Sequence, residues 1–225
     1  MQAEQRDTNA ATPQLAVLLC GYRRHGKDTL ARDMMRGAVH GSWTLCDPSG
    51  GLEDEWRAGE VASVAFASAL KRCVTDELGV SVEQLELAKD EKVPGREETY
   101  RDVLIRVGAE RRRADADVWC KKALLNERGE PRFARVVVTD FRFANELAFV
   151  RKLYPRVLTV RVCARSAEVP PYDVESEHTL DGLTTDALAL PLTRGFNASE
   201  ERDNFLRLFP DQGATFFPAH ADAEK

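Results

Sequence analysis

A continuous apolar hexapeptide, Leu15 to Cys20 (LAVLLC), runs directly into Gly21 and then into Gly26-Lys27-Asp28-Thr29. Six apolar residues without alternation suit a strand buried on both faces, the environment of a parallel sheet covered by helices. The segment GYRRHGKDT at 21–29 has the spacing GxxxxGK, and residues 28–39 read as a helix with Leu30 and Met34 inward. A buried strand, a glycine loop and a helix in that order restrict the chain to α/β architectures with a central parallel sheet. They also predict a phosphate-binding loop, because successive backbone N–H groups and the positive end of the helix then point at one spot.

In such a loop Gly21 and Gly26 permit the turn and Lys27 supplies a cation for the β and γ phosphates of a nucleotide. Arg23 and Arg24 lie within reach of the same phosphates. The Ser or Thr that usually follows the lysine and holds Mg2+ is replaced by Asp28, with Thr29 one place later. Asp28 can bind the ion directly or through water, or it can cap the helix, and the sequence leaves both readings open. A second acid is expected at the end of a neighbouring strand, and Asp140 after the apolar run VVVT meets that need.

Further strands are predicted at Val61 to Phe66, Phe133 to Thr139 and Val157 to Val162, with an apolar stretch at 187–192. Helical spacing covers 67–78, 81–89, 98–113, 115–126, about 144–153 and 199–208, the last capped by Ser199. The glycine-containing segment 41–59 reads as a surface insertion, and residues 1–12 and 211–225 as tails. With 225 residues and 43% apolar content, one compact globule is expected.

The net charge of −5 excludes a general coat for nucleic acid polymers, yet 32 Lys and Arg leave enough cations for a local anionic pocket. Five scattered cysteines, Cys20, Cys46, Cys73, Cys120 and Cys163, make no zinc or disulfide pattern and suit a reducing cytoplasm. No apolar run reaches the roughly 18–20 residues of a membrane span, and Met1 to Thr12 has no signal-peptide core. A soluble, cytoplasmic protein is expected.

Between the loop and Asp140 stand Lys71, Lys89, Lys92, Arg96, Arg101, Arg106, Arg111, Arg112 and Arg113, followed by Arg142, Arg161 and Arg165. Joining two phosphorylated substrates collects several negative charges, so cations must converge on the site. No Ser-His-Asp or Cys-His pattern involves the four histidines, and none is needed. A phosphate acceptor is already ionised near neutral pH, and positioning plus charge neutralisation suffices.

Six motifs in order, GYRRHGKDTLA (21–31), AFASALK (65–71), VGAERRRADADVWCKKAL (107–124), TDFRFANELAFVRKL (139–153), VRVCAR (160–165) and SEHTLDG (176–182), resemble one group of enzymes. They resemble the deoxynucleoside monophosphate kinases of phages and large viruses and their relatives, the animal-type phosphomevalonate kinases. Thr29, the run Asp140 to Glu146 and Trp119 favour the nucleotide kinases, while Cys120-Lys121 keeps the phosphomevalonate kinases as the alternative. The resemblance implies a P-loop kinase fold over 13–210, with a helical acceptor-binding insertion at about 67–127 and a lid at about 164–178.

It further implies ATP on Gly21, Arg23, Arg24, Gly26, Lys27, Asp28 and Thr29, and Mg2+ near Asp28, Thr29 and Asp140. Acceptor or transition-state contacts fall to Lys71, Arg106, Arg111, Trp119, Asp140, Arg142 and Arg165, with Lys27, Arg111, Arg142 and Arg165 catalytic. Trp119, Phe141 and Phe143 are candidates for stacking on a base. The partner is a small phosphorylated molecule, a dNMP on this reading. Localisation would be the host's cytoplasm for a viral chain, and monomer or homodimer stays open.

Overall fold

The computed structural model describes residues 14–37, 39, 42–48, 61–163, 178–191, 198–209 and 213–216. The elements in chain order are β1 (Leu15–Cys20), α1 (Lys27–Met35), β2 (Trp43–Cys46), β3 (Ala62–Val64), α2 (Phe66–Leu78), α3 (Val82–Leu87) and α4 (Tyr100–Ala114). There follow α5 (Val118–Leu124), β4 (Arg135–Val138), α6 (Ala144–Leu153), β5 (Arg156–Val162), β6 (Ala187–Pro191), α7 (Ala198–Leu208) and α8 (Gly213–Phe216). They form a sheet of order β2-β6-β5-β1-β4-β3, the α/β arrangement of P-loop kinases.

β1 is central, parallel to β4 on one side and to β5 on the other, and β5 is parallel to β6. Every residue of β1 is buried, as an uninterrupted apolar run requires. Alternation sorts β6 between two layers. Ala187 and Ala189 join Leu15, Val17, Leu19, Val160 and Val162 beneath Leu30 and Met34 of α1, whereas Leu188 and Leu190 pack with Phe205, Phe209 and Phe216.

The segment 41–59 departs from expectation. Within it, Trp43–Cys46 is an edge strand, antiparallel to β6 with Trp43 opposite Pro191. Trp43 is 7% exposed and its indole N–H donates to Asp33 Oδ2 of α1 at 2.9 Å, so this stretch closes the sheet and clamps a helix. Residues 49–60 and the N-terminal tail lie outside the described residues, whereas Ser199, expected as a cap, is the second residue of α7, and Gly213–Phe216 of the expected C-terminal tail form α8, with Phe216 packed in the core.

The chain also divides into two compact units where one globule was expected. The sheet unit comprises 14–63 and 135–225, and the other unit is centred on 64–134. The latter is helical, with a core of Val74, Leu85, Val93, Tyr100, Val103 and Val107. Two of its helices begin with reciprocal caps, Ser81 with Gln84 on α3 and Thr99 with Asp102 on α4, each satisfying otherwise orphaned N–H groups. No helix among the described residues is long and apolar enough to cross a membrane.

Leu18 is fully buried in the central strand. Leu18→Ala should lower the free energy of unfolding by about 2–5 kcal/mol, read from urea denaturation, because the sheet between two packed layers cannot collapse onto the void.

Candidate functional site

The glycine loop is held from below by β5. Gly21 has φ 135°, and a Cβ placed there would lie 2.3 Å from the Val162 carbonyl oxygen. His25, fully buried, sets its Nδ1 3.0 Å from that same oxygen. A carbonyl can only accept, so Nδ1 carries the proton. Gly26 has φ 90° and sits against the Trp43 ring, which a Cβ would approach to 3.1 Å. Arg24 also takes a left-handed φ of 66°, and both Arg23 and Arg24 are exposed.

Lys27 opens α1 and folds back over the loop. Its Nζ donates to the carbonyls of Gly21 at 2.7 Å and Tyr22 at 2.8 Å, which fixes a cation against the loop backbone. Gly26 is the N-cap and no side chain caps the helix, so capping does not account for Asp28. Asp28 lies exposed in the first turn, beside exposed Thr29.

Asp140 follows β4 by two residues. Val138 registers with Leu18 of β1, so Asp140 stands at the same edge of the sheet as the loop. Carboxylate and hydroxyl oxygens from Asp28, Thr29 and Asp140 are the hard donors that suit Mg2+. Among the described residues no three His, Cys, Asp or Glu side chains cluster to cage an ion, so phosphate oxygens and water would complete the shell.

After Asp140 the chain turns under a buried carboxylate. Glu146, 7% exposed, accepts from the backbone N–H of Arg142 at 2.8 Å and of Phe143 at 3.0 Å and so starts α6. Phe141 is 2% exposed. A small pocket opens here, lined by Gly21, Tyr22, Phe141, Arg142, Arg161, Thr179, Leu180 and Asp181.

Arg161 does not reach it as a mobile cation. It is 1% exposed, donates to the carbonyls of Leu180 at 2.6 Å and Leu183 at 2.9 Å, and lies 4.3 Å over the Phe209 ring. Burial pushes the neighbouring Cys20 thiol up, leaving it a packing residue. Arg165 and the rest of the expected lid through residue 177 lie outside the described residues.

Lys71, Arg106, Arg111 and Trp119 belong to the helical unit. Trp119 corrects the stacking expectation, being 4% exposed with its indole N–H 3.4 Å from the Gly108 carbonyl. Its ring fills that unit's interior. Lys71 pairs with Glu86 at 2.6 Å, and Glu86 also pairs with Lys89. Partial burial would raise the Glu86 pKa, but hydrogen bonds from Lys71 and Lys89 outweigh it and hold the group below its ordinary value.

Arg106 grips Glu98 through two bonds of 2.8 and 3.2 Å, and that grip lowers the Glu98 pKa. Lys92, Arg96 and Arg101 likewise face Glu97, Glu77 and Asp90. The expected field of free cations is thus largely neutralised in pairs. The Arg111 side chain is exposed, with no ion pair among the described residues.

Sequence reasoning missed Trp43, Tyr22, His25, His178 and Asp181. Tyr22 is ringed by His25 and His178, each 5.3 Å away, and its hydroxyl donates to Asp181.

The steric argument at Gly21 can be isolated. Gly79, at φ 66° with open space around it, should lose about 1–2 kcal/mol on substitution by Ala from backbone strain alone. Gly21→Ala should cost distinctly more in the same thermal-melt comparison, because it adds overlap with a backbone carbonyl.

Residues 19–156, more than half of the chain, match the family model described as phosphomevalonate kinase. No curated protein matches the chain.

Proposed function

Because the chain belongs to the phosphomevalonate kinase family, we propose that it transfers the γ-phosphoryl group of ATP to the phosphate of 5-phosphomevalonate, giving diphosphomevalonate and ADP. The observation that carries the phosphoryl-transfer reading is the Lys27 ammonium, held by the Gly21 and Tyr22 carbonyls at the mouth of a loop that follows the central strand. ATP phosphates lie along Gly21 to Thr29 on this reading. Asp28, Thr29 and Asp140 hold Mg2+ directly or through water, and the ion neutralises charge on the phosphates when bound.

An acceptor phosphate oxygen attacks the γ phosphorus while the bond to the β-phosphate oxygen breaks, and ADP leaves. The acceptor is ionised near neutral pH, so the protein's task is orientation and charge compensation by Lys27 and Arg142, with Arg165 offered to the acceptor or the transition state; on the resemblance Lys71, Arg106 and Arg111 are also candidates to meet substrate anions. Engaging Lys71 or Arg106 requires exchanging Glu86 or Glu98 for a substrate anion.

Two features that favoured nucleotides in the sequence have fold roles instead. Glu146 starts α6, and Trp119 is core. Thr29 beside Asp28 still favours a dNMP as the second acceptor to test.

Incubation with ATP-Mg2+ and 5-phosphomevalonate should release ADP and form the diphosphate. Turnover of any of the common dNMPs with none of 5-phosphomevalonate would replace the first reading by the second. Tight ATP binding without acceptor-stimulated ADP release would make the protein a nucleotide-binding module. Lys27→Ala should keep the wild-type circular-dichroism spectrum at a lowered melting temperature, because two carbonyl bonds are lost, yet lose about 10²–10³ in kcat well below that melt, since the lost charge acts on the transition state.

A further inference from the structure

The carbonyl of Tyr22 is one of the two that hold the Lys27 ammonium, and the Tyr22 side chain is tied down independently. The ring is 3% exposed, and the hydroxyl donates to Asp181 Oδ2 at 3.0 Å across 159 residues of sequence. His178 Nδ1 lies 2.8 Å from the same carboxylate oxygen. The turn that carries Asp181 is itself immobilised. Arg161 binds the carbonyls of Leu180 and Leu183 from beneath, and the Thr179 hydroxyl donates to the Arg142 carbonyl.

We infer that Asp181 is a positioning residue for Lys27, acting through the Tyr22 hydroxyl to fix the loop carbonyl on which the ammonium rests. A buried phenol needs an acceptor, and a carboxylate gives a stronger bond than a neutral group. One-third exposure of the Asp181 side chain leaves the carboxylate in contact with water while it accepts from a buried donor. The fixed turn gives that grip a rigid base. Through Thr179 the same turn holds the backbone of Arg142, so one short segment sets two cations of the site relative to each other. Asp181 touches Tyr22, not the transferred group, and its effect must appear wherever Tyr22 is displaced.

The inference rests on reading 21–29 as the ATP site, so the test separates the two. Full-length Tyr22→Phe, Asp181→Ala, Asp181→Asn and the Tyr22→Phe/Asp181→Ala double variant are compared by calorimetric titration with ATP-Mg2+, by kcat with whichever acceptor is turned over, and by thermal melting. Tyr22→Phe and Asp181→Ala should each raise the Kd for ATP about tenfold and lower kcat in the same order, the effect of one charge-assisted bond. The double variant should lose no more than either single, because both cut the same contact. Asp181→Asn, which keeps an acceptor oxygen, should restore most of the loss.

Wild-type values in folded Tyr22→Phe, multiplied losses in the double variant, or Asp181→Asn as damaging as Asp181→Ala would each overturn the assignment. Should Asp181→Ala fail to fold, Tyr22→Phe and Asp181→Asn carry the same comparison. A wild-type chain that binds ATP but phosphorylates no acceptor refutes only the acceptor reading, and the Kd pattern still decides. A wild-type chain that binds no ATP-Mg2+ refutes both.

Discussion

The carbonyl of Val162, at the end of β5, is the fixed point around which the loop is built. It excludes any side chain at Gly21 and meets the ring nitrogen of buried His25, so both ends of the turn are referred to one atom. That atom is placed by the pairing of β5 with central β1, and β1 throughout and β5 from Thr159 to Val162 are buried. Loop geometry is therefore inherited from the sheet. Exposed Arg24 in a left-handed conformation fits the same picture, since a strained residue persists only where its surroundings over-determine the backbone.

Charge is handled differently in the two units. In the helical unit Lys71, Lys89, Lys92, Arg96, Arg101, Arg106 and Lys121 are each paired with a carboxylate, several through two hydrogen bonds, and such exposed pairs add little stability. Their consequence is that the cations are held in defined orientations and in neutral company. In the sheet unit Arg161 is spent on carbonyls and an aromatic ring, which makes it a structural strut for the turn at 178–183.

What the sequence revealed follows from range. β1, the loop, α1 and α6 are signalled by residues a few places apart, and their positions are legible from periodicity, glycines and composition. Trp43 was hidden because a four-residue edge strand carries too little pattern, and its partner β6 lies far along the chain. Tyr22 and Asp181 were hidden for the same reason, as no local rule relates residues 159 apart. The basic clusters misled because spacing reports charge but not the carboxylates that fold against it. Trp119 misled because an aromatic residue near a motif looks alike whether it is core or ligand platform.

The resting position of Lys27 imposes a condition on what the loop can bind. Two hydrogen bonds from an ammonium to backbone carbonyls are each worth roughly 1.5–3 kcal/mol net, and a ligand that draws Nζ away must replace both. A single weakly hydrated monoanion offers one charge and cannot bridge the loop N–H groups as well. A polyphosphate chain meets the lysine, the loop amides and an Mg2+ ion together, so its gain exceeds that loss. On the proposed reading the loop would therefore favour a polyphosphate, because only such a ligand would outcompete the Gly21 and Tyr22 carbonyls that solvate the ammonium.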